Sequence, residues 1–331
     1  MEQRTLTRSP DHPSLSVVGL GTWQLGADWG EVSEADALEV LETSVEAGVT
    51  FLDTADVYGD GRSEQVIGTF LKSHPGLTVA TKMGRRMDQV PENYSMANFR
   101  AWTDRSRRNL GVDTLDLVQL HCPPSAVIDA DRTYDDLDTL VSEGVMAAYG
   151  VSVETCDQAL SAIARPHVAS VQIILNAFRL KPLDRVLPAA AEAGVGIIAR
   201  VPLASGLLSG RYSESTTFAA DDHRTYNRRG EAFDVGETFS GVDFETGVRA
   251  AREFTELIDA VGPTGLSPAE VALAWVWQQP GVTTVIPGAR NAEQARANAA
   301  AGDADPLPPA FLDGVRELYD RHFREAVHGR W

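Results

Sequence analysis

LDLVQLH, residues 115–121, is apolar along most of its length and ends in a histidine. A short run of this kind reads as a strand buried on both faces, with His121 at its C-terminal end. The same form recurs on both sides of it. FLD (51–53) ends in Asp53 and TVATK (78–82) in Lys82; MAAYGVS (146–152) ends in Ser152. VASVQIIL (168–175) carries Gln172 with Asn176 just beyond it, VGIIARV (195–201) carries Arg200, and VTTVIPG (282–288) closes the series. With the run at 17–21, these make eight strand candidates.

Helical spacing fills most of the gaps, as in SEADALEVLETSVEAGV, DDLDTLVSEG, CDQALSAIAR, LDRVLPAAAEAG and SPAEVALAWVWQQPG. Gly48, Gly144, Gly194 and Gly281 stand where such helices should stop. Buried strands alternating with helices predict an α/β fold, a closed (β/α)8 TIM barrel, with an open doubly wound sheet as the runner-up. No Pro- or Gly-rich linker divides the chain, so residues 1–331 read as one domain. The stretch 211–246 is too long and too polar for an ordinary connection, and reads as a lid or binding loop.

Composition narrows the function. The chain has 331 residues, 43% hydrophobic and 23% charged, with a net charge of -18. That charge argues against nucleic acid or an anionic membrane as a general partner. Cys122 and Cys156 form neither a disulfide framework nor a metal-knuckle spacing, and His121 with Cys122 lacks further metal ligands. The N-terminus lacks the apolar core of a signal peptide, and no segment has 18 uninterrupted apolar residues, which predicts a cytoplasmic protein.

In a barrel, the C-terminal strand ends share one mouth. Asp53, Lys82 and His121 would meet there with Tyr58, from FLDTADVYG (51–59). Any one of them reads equally well as a cap, an ion pair or a packed core residue. Together they have a chemical task. Tyr58 can donate a proton, Lys82 can lower its pKa, Asp53 can hold Lys82, and His121 can orient a carbonyl oxygen. No activated serine, cysteine or metal set is present to attack that carbonyl, so a hydride from a dihydronicotinamide fits best.

GLGTWQLG has glycines at 19, 21 and 26 but Gln24 where a Rossmann fingerprint needs glycine. The better phosphate site is IPGARNAEQARAN (286–298). There Gly288 ends a strand, Asn291 can cap a helix, and Arg290, Gln294 and Asn298 can add donors. PLASGLLSGR (202–211) offers a second glycine-rich turn, with Arg211 suited to a pyrophosphate.

These stretches, with GVS (150–152) and VQIILN (171–176), resemble the aldo-keto reductase family over nearly the whole chain. The resemblance implies a TIM barrel that binds NADPH and reduces aldehydes or ketones, with Tyr58 as proton donor and Asp53, Lys82 and His121 as its partners. It implies cofactor contacts from Gly21, Thr22, Trp23, Asp53, Ser152 and Gln172 on one side. Arg200, Pro202, Leu203, Ser205, Gly206, Leu208 and Arg211 would follow, and Gly288, Arg290, Gln294 and Asn298 would hold the phosphate end. Trp23 would also form an aromatic wall of the substrate pocket, with Trp29 near the mouth.

Three positions depart from the family pattern. Val153 stands where asparagine is common, and Arg200 where an aromatic residue often stacks on nicotinamide. Gln294 stands where some relatives have arginine, which leaves Arg290 to read the 2′-phosphate. Alcohol or sugar dehydrogenation on the same site is an alternative, as is a non-catalytic nucleotide-binding regulatory barrel. The terminal HFREAVHGRW either reaches the mouth or another subunit, or leaves Trp331 exposed.

Overall fold

In the computed structural model the described residues are 1–9, 11–26 and 32–331. A short antiparallel hairpin, β1 (Gln3–Thr5) and β2 (Ser14–Ser16), comes first. Eight parallel strands follow in sequence order: β3 (Leu20–Gly21), β4 (Phe51–Asp53), β5 (Thr78–Met83), β6 (Leu115–His121), β7 (Met146–Ser152), β8 (Val168–Ile174), β9 (Gly196–Arg200) and β10 (Val282–Val285). Parallel bridges Val18↔Val285 and Gly21↔Gly288 join the first strand to the last, so the sheet closes on itself. Helices such as Glu34–Glu46, Arg62–Leu71, Met96–Leu110 and Pro182–Ala193 return the chain between strands. This is the (β/α)8 barrel that the alternating runs predict.

Local chemistry fixes the boundaries. The Ser33 side chain caps Glu34–Glu46, and reciprocal capping boxes, Thr155 with Gln158 and Ser267 with Glu270, open two later helices. Gly144 and Gly194 take positive φ at their helix ends, as helix-stopping glycines do. The helix before Gly281 already ends at Trp277, and the positive φ of Gly281 serves the turn into β10. Gly150 has another reason to be glycine: a Cβ there would meet the Ser170 Oγ at 2.2 Å. Its strand must lie close against β8.

Inside the ring, Phe51, Ala80, Leu117, Ala148, Ala169, Ile198 and Ile286 form one apolar cluster, and Leu6 and Leu15 of the hairpin region join it. The hairpin therefore floors the barrel at the end opposite the polar strand ends. No described helix is long and apolar enough to cross a membrane.

Candidate active site

Tyr58 lies in the loop after β4, and two glycines bring that loop close to the one after β3. Gly59 has φ +58°, and a Cβ on it would sit 2.0 Å from the Gly26 carbonyl oxygen. GLGTWQLG is thus built for close backbone approach. It places the Trp23 ring on the Tyr58 ring, with centroids 5.9 Å apart and planes at 20°.

Beneath Tyr58, register sets Asp53 and Lys82 on neighbouring strands, and Lys82 is fully buried. Its Nζ donates to the Asp53 carboxylate, to the Thr54 carbonyl at 2.8 Å and to the Tyr58 hydroxyl at 3.4 Å. The other Asp53 oxygen accepts from Gln172 at 2.8 Å and from Gln119 at 3.0 Å. Burial opposes the Lys82 ammonium, but Asp53 and Tyr58 outweigh it and raise the pKa. His121 packs edge-on to Tyr58, with centroids 6.0 Å apart. Burial, then Arg85, Lys82 and Arg200, hold its pKa well below the ordinary value, so the ring is neutral near pH 7 and keeps one N–H to donate.

One expectation is corrected. Lys82 does lower the Tyr58 pKa, but burial raises it more, and the net direction is upward. Tyr58 is protonated at neutral pH.

Asp53, Tyr58 and His121 line one end of a cavity of about 910 Å³, near the upper end for small-molecule sites, while Lys82 is buried behind them. Gly21, Thr22, Trp23, Ser152, Gln172, Arg200, Pro202, Leu203, Ser205, Gly206, Arg211, Gly288, Arg290, Gln294 and Asn298 line it too. Leu208 does not: its side chain is fully buried in the core cluster and away from the cavity wall. Ser205 and Gly206 both take positive φ, shaping the turn after β9. Residues Ala292–Ala300 form the expected helix, its start capped by Asn291 through the Gln294 N–H at 2.9 Å. Gln294 and Asn298 are locally engaged: the Gln294 side chain accepts from the Arg290 N–H at 2.9 Å, and Asn298 donates to the Gly288 carbonyl at 3.1 Å. They shape the turn around Arg290.

Arg200 lines the cavity with its charge already engaged within the protein. Its buried guanidinium contacts the carboxylates of Glu154, at 3.0 Å, and Glu237, and donates to the Val153 carbonyl at 3.0 Å. Burial would lower its pKa, yet Glu237 and Glu154 drive it upward. A cation so closely neutralised is not available to a phosphate. The same cluster includes Arg85 and, behind it, Arg179, which donates to the Glu154 carbonyl at 2.8 Å.

Sequence reasoning missed this cluster and Gln119. Gln119 did leave a signal: a polar residue two positions before His121 shares its strand face. Glu237 left none, because it lies in 211–246, where no periodicity exists. That segment does border the cavity, through Arg211, Tyr212, His223, Arg224, Tyr226, Phe233 and Glu237. Trp331 is buried, with Arg179 4.2 Å above its ring and its indole N–H donating to Asp234 at 3.0 Å, so the terminal stretch braces the segment. Trp29 lies outside the described residues.

The model of the aldo/keto reductase family matches residues 17–320. The chain is 27% identical over 288 residues to the aldo-keto reductase YhdN of Bacillus subtilis, covering 85% of this chain and 83% of that protein. It is 30% identical over 328 residues to the uncharacterized oxidoreductase Rv2298 of Mycobacterium tuberculosis, covering 96% and 93%. Among solved structures, the glycerol dehydrogenase AKR11B4 from Gluconobacter oxydans matches with a TM-score of 0.78 at 28% identity, covering 97% of this chain and 95% of that one. The holo form of aldo-keto reductase AKR11C1 from Bacillus halodurans gives 0.76 at 26% identity, with 99% of each chain covered.

Proposed function

The chain belongs to the aldo/keto reductase family, and from that premise we infer that it moves a hydride between NADP(H) and an aldehyde or ketone, with Tyr58 as the proton donor. The observation that carries this reading is the buried Asp53–Lys82–Tyr58 chain of contacts at one end of the cavity. The donor set also fits the cofactor. Arg290 and the capped helix start suit a phosphate, the Ser205–Gly206 turn suits a pyrophosphate, and Ser152 and Gln172 suit a carboxamide.

Bound NADPH would supply the hydride. The protein's part is then to polarise and protonate the carbonyl oxygen. Neutral His121 donates a hydrogen bond to that oxygen, and Tyr58 gives it a proton as negative charge develops. Lys82, kept charged by Asp53, stabilises the phenolate that remains. In reverse, the phenolate accepts the alcohol proton, so alcohol oxidation uses the same groups. The glycerol dehydrogenase among the similar structures favours that direction as the second reading.

Segment 211–246 acts as a lid on a single catalytic domain. Cys122, with its pKa pushed up to about 12 by burial and Glu154, is an inert thiol. The two free cysteines accord with a cytoplasmic setting.

Parallel fluorescence titrations with NADPH and NADH test the cofactor reading. NADPH should bind more tightly, and Arg290→Ala should weaken it by about 10-fold or more, the scale of a charge-assisted hydrogen bond. Equal losses for both cofactors would remove Arg290 as the reader of the 2′-phosphate.

A further inference from the structure

The described lining of the cavity is basic within an acidic protein. Among the described residues, five arginines line it, Arg85, Arg200, Arg211, Arg224 and Arg290, against three carboxylates, Asp53, Glu237 and Glu293. A phosphate-bearing cofactor accounts for the three around Arg290 and the turn after β9. Two remain at the Tyr58 end. Arg200 is matched by Glu154 and Glu237, and Asp53 by Lys82. Lys82 balances Asp53, and of the two carboxylates on Arg200 the second is offset by the buried Arg179, on which Glu154 and Glu237 both act.

Arg85 is different. It follows β5 three residues after Lys82 and its side chain is 23% exposed, on the cavity wall. Its contacts are long: Nε to the His121 carbonyl at 3.3 Å, and Nη2 to a Glu154 oxygen at 3.5 Å. Glu154 meanwhile has Arg200 at 3.0 Å. Among the charges acting on the His121 ring, that of Arg85 is the largest, and it acts on Tyr58 as well. The guanidinium therefore stands beside the two groups that would grip a carbonyl oxygen. The same cavity has an aromatic wall: Trp23 with Phe233 edge-on at 5.9 Å and His223 at 5.6 Å.

We propose that Arg85 reads a carboxylate on the substrate, so that the site takes aldehydes or ketones carrying a carboxylate a few bonds from the carbonyl. This rests on the carbonyl-reductase reading above. The planar N–H fork of an arginine matches a carboxylate bidentately, and aromatic walls that exclude water strengthen such a pair. Glu237 and Glu154 act on Arg85 as well, but both carboxylates lie in closer contact with Arg200.

The test uses matched substrates with the full-length, NADPH-loaded protein: 4-carboxybenzaldehyde against methyl 4-formylbenzoate, and 4-oxobutanoate against its methyl ester. Each acid should exceed its ester in kcat/KM by about 10- to 100-fold, mainly through KM, as expected for a hydrogen-bonded charge pair. Added salt should narrow the ratio. Arg85→Met should bring it to one or below, and Arg85→Lys should keep part of it. Independently of turnover and of any variant, benzoate should raise the melting temperature of the loaded protein where benzamide does not. Equal rates for acid and ester, with no benzoate effect, overturn the assignment while leaving the reductase reading intact. Benzoate protection without turnover of any of the four aldehydes supports the anion site and overturns the reductase reading. Neither protection nor turnover overturns both.

Discussion

Two buried ion clusters share the mouth of this barrel, and different parts of the chain build them. Asp53 and Lys82 sit at the ends of adjacent strands, and the register of β4 on β5 alone brings them together. Arg200 also ends a strand, but one of its carboxylates, Glu237, arrives from the long segment after β9. The first cluster is complete once the sheet has formed. The second is complete only when that segment has folded over the mouth. Asp53 and Lys82 are thus fixed by the sheet, while the wall beside them is conditional on a loop.

The largest effect should come from the first cluster. Tyr58→Phe keeps the ring that stacks on Trp23 and loses only the hydroxyl. Turnover should fall by about 10³-fold, within the range for a lost general acid, with NADPH affinity nearly unchanged in a fluorescence titration. Near-normal turnover removes Tyr58 as the donor.

Next comes a carboxyl that neither cluster serves. Asp56 is fully buried two residues before Tyr58, and its side-chain oxygens have no hydrogen-bond partner among the described residues. Burial first, then Glu64, raises its pKa to about 7, against the pull of Arg86, Arg105 and Lys82. A carboxyl whose pKa is higher folded than unfolded destabilises the fold as pH rises from about 4 to 7, and the cost is full above 7. Asp56→Asn should therefore match the parent protein near pH 4 and gain stability as pH rises. At about 1.4 kcal/mol per pH unit, the gain is at most about 4 kcal/mol. Urea melts at pH 4, 6 and 8 measure it, and a pH-independent difference sinks the idea.

A smaller effect separates the two clusters directly. Glu237→Gln breaks a buried ion pair and should cost about 3 kcal/mol. Asp53→Asn should cost a similar amount. Only Glu237→Gln should also open 211–246 to limited proteolysis, and equal cleavage in both variants would show that Glu237 does not pin the segment.

What could be read from the sequence follows the same division. β6 and β7 have the expected bounds, 115–121 and 146–152, because apolar runs buried on both faces leave little freedom in their ends. Asp53, Lys82 and His121 were legible because a strand end is a position that a run declares. The first barrel strand is shorter than its run: only Leu20–Gly21 forms ladder, while Val18 pairs through a separate bridge to Val285. The floor hairpin went unread, since Leu6 and Leu15 flank a polar turn and carry no periodicity. The pairing of Arg200 with Glu237 was illegible for a related reason. It is a contact between a strand end and an irregular loop, and spacing along the chain does not encode it.

The floor made by Leu6 and Leu15 has a consequence for access. It completes a plug that the apolar cluster from Phe51 to Ile286 begins, so the barrel is a cul-de-sac with its cavity on the Tyr58 side alone.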